Sequence, residues 1–297
     1  MSDNLRGIAL MLAATLSFTS VDMGIKLSVD HLPLGQIISV MGVGGFLLFG
    51  LVAKAQGIRL TGPIWRDRGV LIRGCGELMA TGGITLALAN APFSTVSAIL
   101  QAAPLLVVLG AAVFLKERVG WRRWSILFLG MVGVLIILAP TETGPLTGLI
   151  YALIGVLGIS VRDLATRFVA PGAPTMQVSF VGFSFVILSG VVLCVAFPEP
   201  WVWPDALAGG YLALAVIAGF CAYFLITAAM RVGEIAVVAP FRYFRILFAF
   251  TVGWVVFDEV ISARVWLGTG LIVAAGLYIL FREGNRVKTL ARTARTR

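Results

Sequence analysis

Apolar residues are grouped along this chain into long runs, and short polar segments separate each run from the next. Ten of these runs approach the roughly 20 residues that an α-helix needs to cross the hydrocarbon core of a bilayer. The runs cover residues 7–27, 34–53, 70–89, 93–115, 121–139, 146–166, 176–197, 207–229, 235–257 and 264–281. The short alternating pattern of a membrane β-strand is absent from the sequence. The chain is therefore predicted to be all-α, with ten transmembrane helices.

Composition agrees with a membrane environment, because 59% of the residues are hydrophobic and 12% are charged. Water-soluble chains carry a charge at roughly a quarter of their positions. We therefore expect an integral membrane protein that crosses the bilayer many times.

Two parts of the chain are copies of one another. Five residues of the first half recur, or are replaced by a like charge, 141 positions later. The pairs are Gly7 and Gly148, Asp22 and Asp163, Lys26 and Arg167, Pro33 and Pro174, and Gln36 and Gln177. Such self-similarity indicates a duplicated unit. We predict two homologous halves, residues 1–142 and 143–285, followed by a basic tail at 286–297.

The loops predict the orientation, because Lys and Arg are retained on the cytoplasmic side of a membrane. They are concentrated after spans two, four and eight and in the tail, whereas the segments 90–92, 141–143 and 199–205 carry none. Both termini are thus predicted to be cytoplasmic. Since each half has five spans, the two repeats are inverted relative to each other, an arrangement that recurs in secondary transporters.

The same loops explain the formal net charge of +9. The anionic inner leaflet of the bilayer is the partner that this distribution predicts, and nucleic acid is not. Cys75, Cys194 and Cys221 are scattered singly, and His31 is the sole histidine. No metal-ligand spacing and no nucleotide-binding loop is present, so we predict no metal, no cofactor and no enzymatic activity.

An apolar helix ends in Phe-Leu-Lys-Glu117 in one half and Val-Phe-Asp-Glu259 in the other, and a Trp and closely spaced glycines follow each. Together with the paired halves, this pattern resembles the EamA-type repeats of the drug/metabolite transporter superfamily over residues 5–282. The resemblance implies a bacterial inner (plasma) membrane protein whose ten helices surround a central cavity, formed mainly by spans one, three, four, six, eight and nine. Members include amino-acid and metabolite exporters, and Ala239-Pro-Phe-Arg-Tyr243 is similar to a segment of members associated with S-adenosylmethionine or vitamin uptake.

Charged residues that both halves share are predicted to serve the scaffold or the gates. Asp22 and Lys26 are separated by one helical turn, as are Asp163 and Arg167. Residues four apart meet on one face of a helix, so each couple is expected to form an ion pair or a gate element.

Charged residues that break the repeat are the stronger candidates for contact with cargo. Glu77 stands opposite Gly219, and Arg242 and Arg245 stand opposite Leu100 and Ala103. Charges inside membrane spans are costly and usually face a cavity. We predict a buried pair of Glu77 with Arg242, which leaves Arg245 free for a substrate carboxylate; the alternative is that all three only hold helices together. Glu77, with Asp22 second, is the candidate for exchanging a coupling proton.

Two prolines mark the binding region in another way. Pro104 and Pro240 fall in spans four and nine, which correspond to each other, and each frees a backbone carbonyl one turn earlier. Interrupted helices in matching halves point to a midplane site, where Gln101 and Tyr243 occupy equivalent positions. A kink that only shapes the gates is the alternative.

The sequence therefore predicts a secondary transporter for a small zwitterionic or anionic metabolite, working by alternating access. Export of amino acids or related metabolites is the leading hypothesis, on the resemblance alone. Uptake of S-adenosylmethionine or a vitamin is the alternative within the same class. A channel or a membrane sensor is the alternative from another class.

Overall fold

The computed structural model describes residues 3–116, 120–139, 146–170, 172–232 and 234–278 of the chain. Within these residues the regular structure is helical, and no strand is present. The predicted basic tail at 286–297 lies outside the described residues, as do Glu117 and segment 141–143. The helices are α1 Asp3–Val29, α2 Leu34–Ala55, α3 Arg68–Asn90, α4 Phe93–Leu100, α5 Ala103–Phe114, α6 Trp121–Leu138, α7 Leu146–Ala165, α8 Thr175–Ala196, α9 Ala206–Val232, α10 Ile235–Val238, α11 Arg245–Phe257 and α12 Ala263–Tyr278.

Eight segments of the described chain are long and apolar enough to cross a bilayer, and α6 and α12 supply shorter apolar helices. Two of the eight, Phe93–Phe114 and Ala239–Phe257, are interrupted. The prediction of an all-α, multi-pass membrane protein is confirmed. The count of ten transmembrane helices and the cytoplasmic position of both termini stay predictions.

Helix starts follow from the local sequence. Pro33 and Pro174 immediately precede α2 and α8, where a residue without a backbone N–H costs nothing. Asp67 caps α3 by accepting a hydrogen bond from the Val70 amide at 2.9 Å, and Asp205 accepts from the Ala208 amide at 2.7 Å. The two similar loops, Trp65-Arg-Asp67 and Trp203-Pro-Asp205, therefore perform the same task in the two parts of the chain.

Three helix pairs pack against each other most extensively: α1 with α9, α3 with α7, and α2 with α8. Small residues allow the backbones to approach closely, as is common between membrane helices. A Cβ atom at Gly83 would lie 2.5 Å from the Gly155 nitrogen, and one at Gly42 would lie 2.7 Å from the Ile187 nitrogen. Substitution of either glycine would therefore push two helices apart.

The pairing of helices is related to the sequence repeat. The repeat makes α1 equivalent to α7 and α3 equivalent to α9. The α1–α9 and α3–α7 contacts are therefore equivalent contacts between the two halves. In both contacts a helix of one half packs on a helix of the other half, which supports the division into 1–142 and 143–285. The division and the inverted orientation stay predictions.

A cysteine-labelling experiment tests the orientation. Arg66 and Asp205 are both exposed, at loops that the charge distribution assigns to opposite sides of the membrane. With Cys75, Cys194 and Cys221 replaced, we expect Asp205→Cys to react with an impermeant thiol reagent on intact cells. Arg66→Cys should react only after the membrane is permeabilised. Labelling of Arg66→Cys from outside would contradict the predicted orientation and the inverted arrangement built on it.

Candidate functional site

A central cavity of about 160 Å³ lies among the helices. Its walls come from α1, α3, α7 and α9 and from both interrupted spans, as the sequence resemblance implied. Met41 of α2 and Phe183 and Val186 of α8 also line it. The cavity wall is therefore built from both halves of the chain.

The two interruptions meet at the cavity. In span four, α4 ends at Leu100 and α5 begins at Ala103, with Pro104 in its first turn. In span nine, a 3-10 turn occupies Ala239–Phe244, with Pro240 in its first positions. The Gln101 side-chain amide donates a hydrogen bond to the Tyr243 carbonyl oxygen at 3.3 Å. Equivalent positions of the two repeats are thus bonded directly to each other.

The repeated aspartate of the first half is paired with the second half. Asp22 of α1 forms an ion pair with Arg245 at the start of α11. The predicted pair of Asp22 with Lys26 is wrong, because the Lys26 ammonium instead donates to the Leu88 and Ala91 carbonyl oxygens, each at 2.8 Å. The prediction that Arg245 is a free cation is also wrong, because Arg245 is paired with Asp22.

The repeated aspartate of the second half is held by two arginines. Arg162 Nε donates to Asp163 Oδ1 at 2.9 Å, and Arg242 Nη2 lies 3.7 Å from Asp163 Oδ2. These ion pairs replace the predicted pair of Asp163 with Arg167, which is wrong. Arg167 lies exposed in a 3-10 turn that follows α7, so the helix that would align it with Asp163 has already ended.

Glu77 is bonded to groups that the repeat comparison did not select. Its Oε1 accepts a hydrogen bond from the Tyr223 hydroxyl at 2.5 Å and lies 3.6 Å from Arg162 Nη1. Arg162 Nη1 also donates to the Tyr223 hydroxyl at 3.0 Å. The predicted pair of Glu77 with Arg242 is wrong because α3 packs directly on α7, which brings Arg162 to Glu77 first.

Arg162 and Tyr223 are the functional candidates that sequence reasoning missed. Arg162 breaks the repeat, since Val21 stands at its equivalent position, and that signal was available. The signal is masked by the neighbouring Asp163, which belongs to the shared motif. For Tyr223 the sequence offers no comparable signal, because an aromatic residue in an apolar span is ordinary.

Aromatic rings lie near two partly buried guanidinium groups. The Arg245 guanidinium carbon lies 5.5 Å from the centre of the Phe18 ring, and that of Arg162 lies 5.9 Å from the Tyr223 ring. The Phe18 and Tyr223 rings are themselves in edge contact, with centres 5.7 Å apart. Such contacts stabilise a partly desolvated cation, so the arginines are held in place by rings as well as by carboxylates.

Three buried polar atoms of this region have no hydrogen-bond partner among the described residues: Glu77 Oε2, Arg245 Nε and the Tyr243 hydroxyl. Glu77 and Arg245 line the cavity. The Tyr243 hydroxyl instead occupies the space that a side chain at Gly276 of α12 would need. Glu77 and Arg245 therefore offer an unused acceptor and an unused donor in residues that line the cavity.

A second polar cluster ties the end of span nine to the start of span four. The Glu259 carboxylate accepts hydrogen bonds from the backbone amides of Phe93 and Ser94, the latter at 2.8 Å. An anionic group at a helix N-terminus is favourable because the helix dipole and the free amides point towards it. Glu259, predicted to be structural, thus caps α4 of the other half.

Comparison with known proteins adds an independent finding. Residues 5–139 match the EamA-like transporter family. The chain is 29% identical to a riboflavin transporter of Rhizobium johnstonii, over 67% of this chain and 65% of that protein. It is 24% identical to an S-adenosylmethionine uptake transporter of Rickettsia bellii, over 72% of each. It is 26% identical to a pseudopaline exporter of Pseudomonas aeruginosa, over 91% of this chain and 94% of the exporter.

A solved crystal structure shares the fold. It covers 93% of this chain and 99% of its own, with a TM-score of 0.63 and 19% sequence identity. At this identity the likeness concerns the arrangement of the helices and not the chemistry of the cavity.

The Asp22–Arg245 pair gives a prediction about stability. Removing one partner of a buried ion pair costs about 3–5 kcal/mol, because the other charge is left unpaired. We expect Arg245→Gln to lower the thermal unfolding temperature in detergent clearly. Asp22→Asn/Arg245→Gln, which removes both charges, should recover most of that loss. Arg59→Gln, at an exposed loop residue, is the control; a double variant as unstable as the single one would contradict the prediction.

Proposed function

We propose that this chain is a secondary transporter of the inner membrane, because residues 5–139 match the EamA-like transporter family and the similar proteins are membrane transporters. It moves a small polar organic metabolite by alternating access. Membrane transport of small molecules is what the named relatives have in common. The substrate, the direction and the mechanism proposed for this chain go beyond what the relatives have in common.

The observation that carries this proposal is the cavity at the meeting point of the two interrupted spans. Discontinuous helices of corresponding repeats line the substrate sites of many secondary transporters. Here the cavity also has charged groups in its wall, from Asp22 and Arg245 on one side and Glu77 and Arg162 on another. An apolar chamber with a few polar groups is the usual form of a small-molecule site.

The size of the cavity favours a small cargo. Sites for drug-sized ligands are roughly 300–1,000 Å³, and this cavity measures about 160 Å³. An amino acid or a metabolite of similar size therefore fits better than a flavin. Export is the direction we favour, since the similarity to the pseudopaline exporter runs over almost the whole chain.

Uptake is the second candidate, and specific relatives support it. The riboflavin and S-adenosylmethionine transporters align with about two thirds or more of this chain. A larger cargo would require the cavity to expand during the cycle. A carrier of riboflavin or S-adenosylmethionine would therefore need a wider separation of the helices around the cavity than a carrier of an amino acid.

Counterflow in reconstituted vesicles tests the function. Unlabelled substrate inside the vesicles should accelerate the entry of labelled substrate, because a carrier must return through its own site. A panel of amino acids, vitamins and S-adenosylmethionine covers both candidates. A channel gives no such acceleration and a membrane sensor gives no flux, so either outcome would contradict the proposal.

Loss of the cavity arginines should stop transport. We expect Arg242→Ala and Arg245→Ala to abolish counterflow, because a guanidinium group binds a carboxylate through paired hydrogen bonds. Arg242 gives the cleaner test, since its side chain is 39% exposed and its ion pair is long, so folding depends on it less. Arg59→Ala and quantification of folded protein in the membrane are the controls. Wild-type counterflow by both cavity variants would rule out a role in cargo binding.

Glu77 is our candidate for the proton-coupling group, with Asp22 second. One Glu77 oxygen bonds Tyr223 while the other has no partner and is buried, so it is placed to bind a proton or a cargo ammonium group. We expect Glu77→Gln to remove the dependence of transport on a pH gradient while counterflow continues. Full pH-gradient dependence in Glu77→Gln would eliminate Glu77 from this role and leave Asp22 to be tested.

A further inference from the structure

The charged groups in and around the cavity do not balance. Among the described residues, this cluster contains one more guanidinium group than carboxylates. The guanidinium groups belong to Arg73, Arg162, Arg242 and Arg245, and the carboxylates belong to Asp22, Glu77 and Asp163.

Arg73 is the source of the excess charge. It lies on α3 one turn before Glu77, and 9% of the residue is exposed. Its guanidinium lies over Gly182 of α8, where the absence of a side chain provides the space. It is near enough to Asp163 and Tyr223 to interact electrostatically with both. Within the described chain it forms neither a hydrogen bond nor an ion pair.

The other three arginines are already committed to carboxylates. Arg245 is paired with Asp22, and Arg242 is paired with Asp163. Arg162 lies between Asp163 and Glu77. An arginine does not lose its proton in a protein, and protonation of any carboxylate would only increase the positive excess. These seven groups therefore carry a net charge of at least +1, whatever the protonation state of the carboxylates.

An uncompensated charge inside a membrane protein is costly and calls for a partner of opposite sign. The position of Arg73 suggests where that partner enters. It is five residues from the start of α3, about 8 Å along the axis at 1.5 Å per residue, and so lies between the helix end and the level of Glu77. Deeper in, Arg245 Nε has no partner and offers a hydrogen bond to an anion.

We propose that the cavity selects small carboxylates with a net charge of −1 and disfavours neutral zwitterions and cations. The cargo supplies the negative charge that the buried cluster lacks, with Arg245 in contact and Arg73 acting at a distance through the electric field. This inference rests on the proposed transport function and narrows its substrate class. It separates the chain from carriers of a cationic cargo.

Pairs of solutes that match in shape and differ by one charge provide the test. The probes are glutamate with glutamine, aspartate with asparagine, and succinamate with succinamide, so each pair sets a monoanion against its neutral amide. Counterflow into vesicles of the full-length protein is measured for each, and ligand-induced thermal stabilisation in detergent is the second readout. In the pairs that respond, we expect the more anionic member to give half-maximal counterflow at about tenfold lower concentration. One extra charge interaction across a protein interior produces an effect of about this size.

Variants of Arg73 test whether the preference for anions comes from the charge of this side chain. Arg73→Met removes the charge and keeps the length of the side chain, and should reduce the preference within each pair to less than about twofold. Arg73→Lys keeps the charge and should retain it. A merely structural role of Arg73 would lower all rates alike and leave the ratio unchanged. If Arg73→Met does not reach the membrane, the wild-type ratios still decide the proposal.

The outcomes separate this inference from the transport function itself. Counterflow of glutamine or S-adenosylmethionine that equals or exceeds that of the anions overturns the selectivity and leaves transport standing. A response to none of the six probes also overturns it, because a site for small monoanions should accept at least one. Absence of counterflow for every solute of the wider panel would instead contradict the transport function.

Discussion

The high cost of an ionised group in a low-dielectric interior is the constraint on which this structure depends. It obliges the carboxylates inside the helix bundle to find cations, and several of those cations are on other helices. The Asp22–Arg245 pair joins α1 to α11, and the Glu77–Arg162 contact joins α3 to α7. These links connect helices that surround the cavity, and the packing of those helices decides which charges meet.

The elements that sequence predicted well are those that depend on local chemistry. The apolar runs gave the helices, and Pro104 and Pro240 lie where spans four and nine are interrupted. The partners of the charged residues were predicted poorly. Helical spacing shows that Asp22 and Lys26 are able to meet, but the rotation of α1 against α9 and α11 decides whether they do. Similarly, only the packing of α3 on α7 shows that Glu77 meets Arg162 before it meets Arg242.

The charges do not follow the repeat of the scaffold. Asp22 and Asp163 occupy equivalent positions, yet arginines of the single segment 242–245 contact both of them. The first half has Leu100 and Ala103 at the corresponding places. A rearrangement that exchanges the shapes of the two halves would therefore not exchange their electrostatics. The two end states of such a rearrangement would therefore differ in energy.

The contact between Tyr243 and Gly276 extends the influence of the cavity to a helix that does not line it. None of the described residues of α12 reaches the cavity wall. Even so, the Tyr243 hydroxyl fills the place of the missing side chain at Gly276, and the Tyr243 carbonyl is bonded to Gln101. A single added methyl group on this outlying helix would displace the ring and, through it, the junction of the two interrupted spans. Substrate preference in such a protein can therefore drift by changes at positions that never meet the cargo.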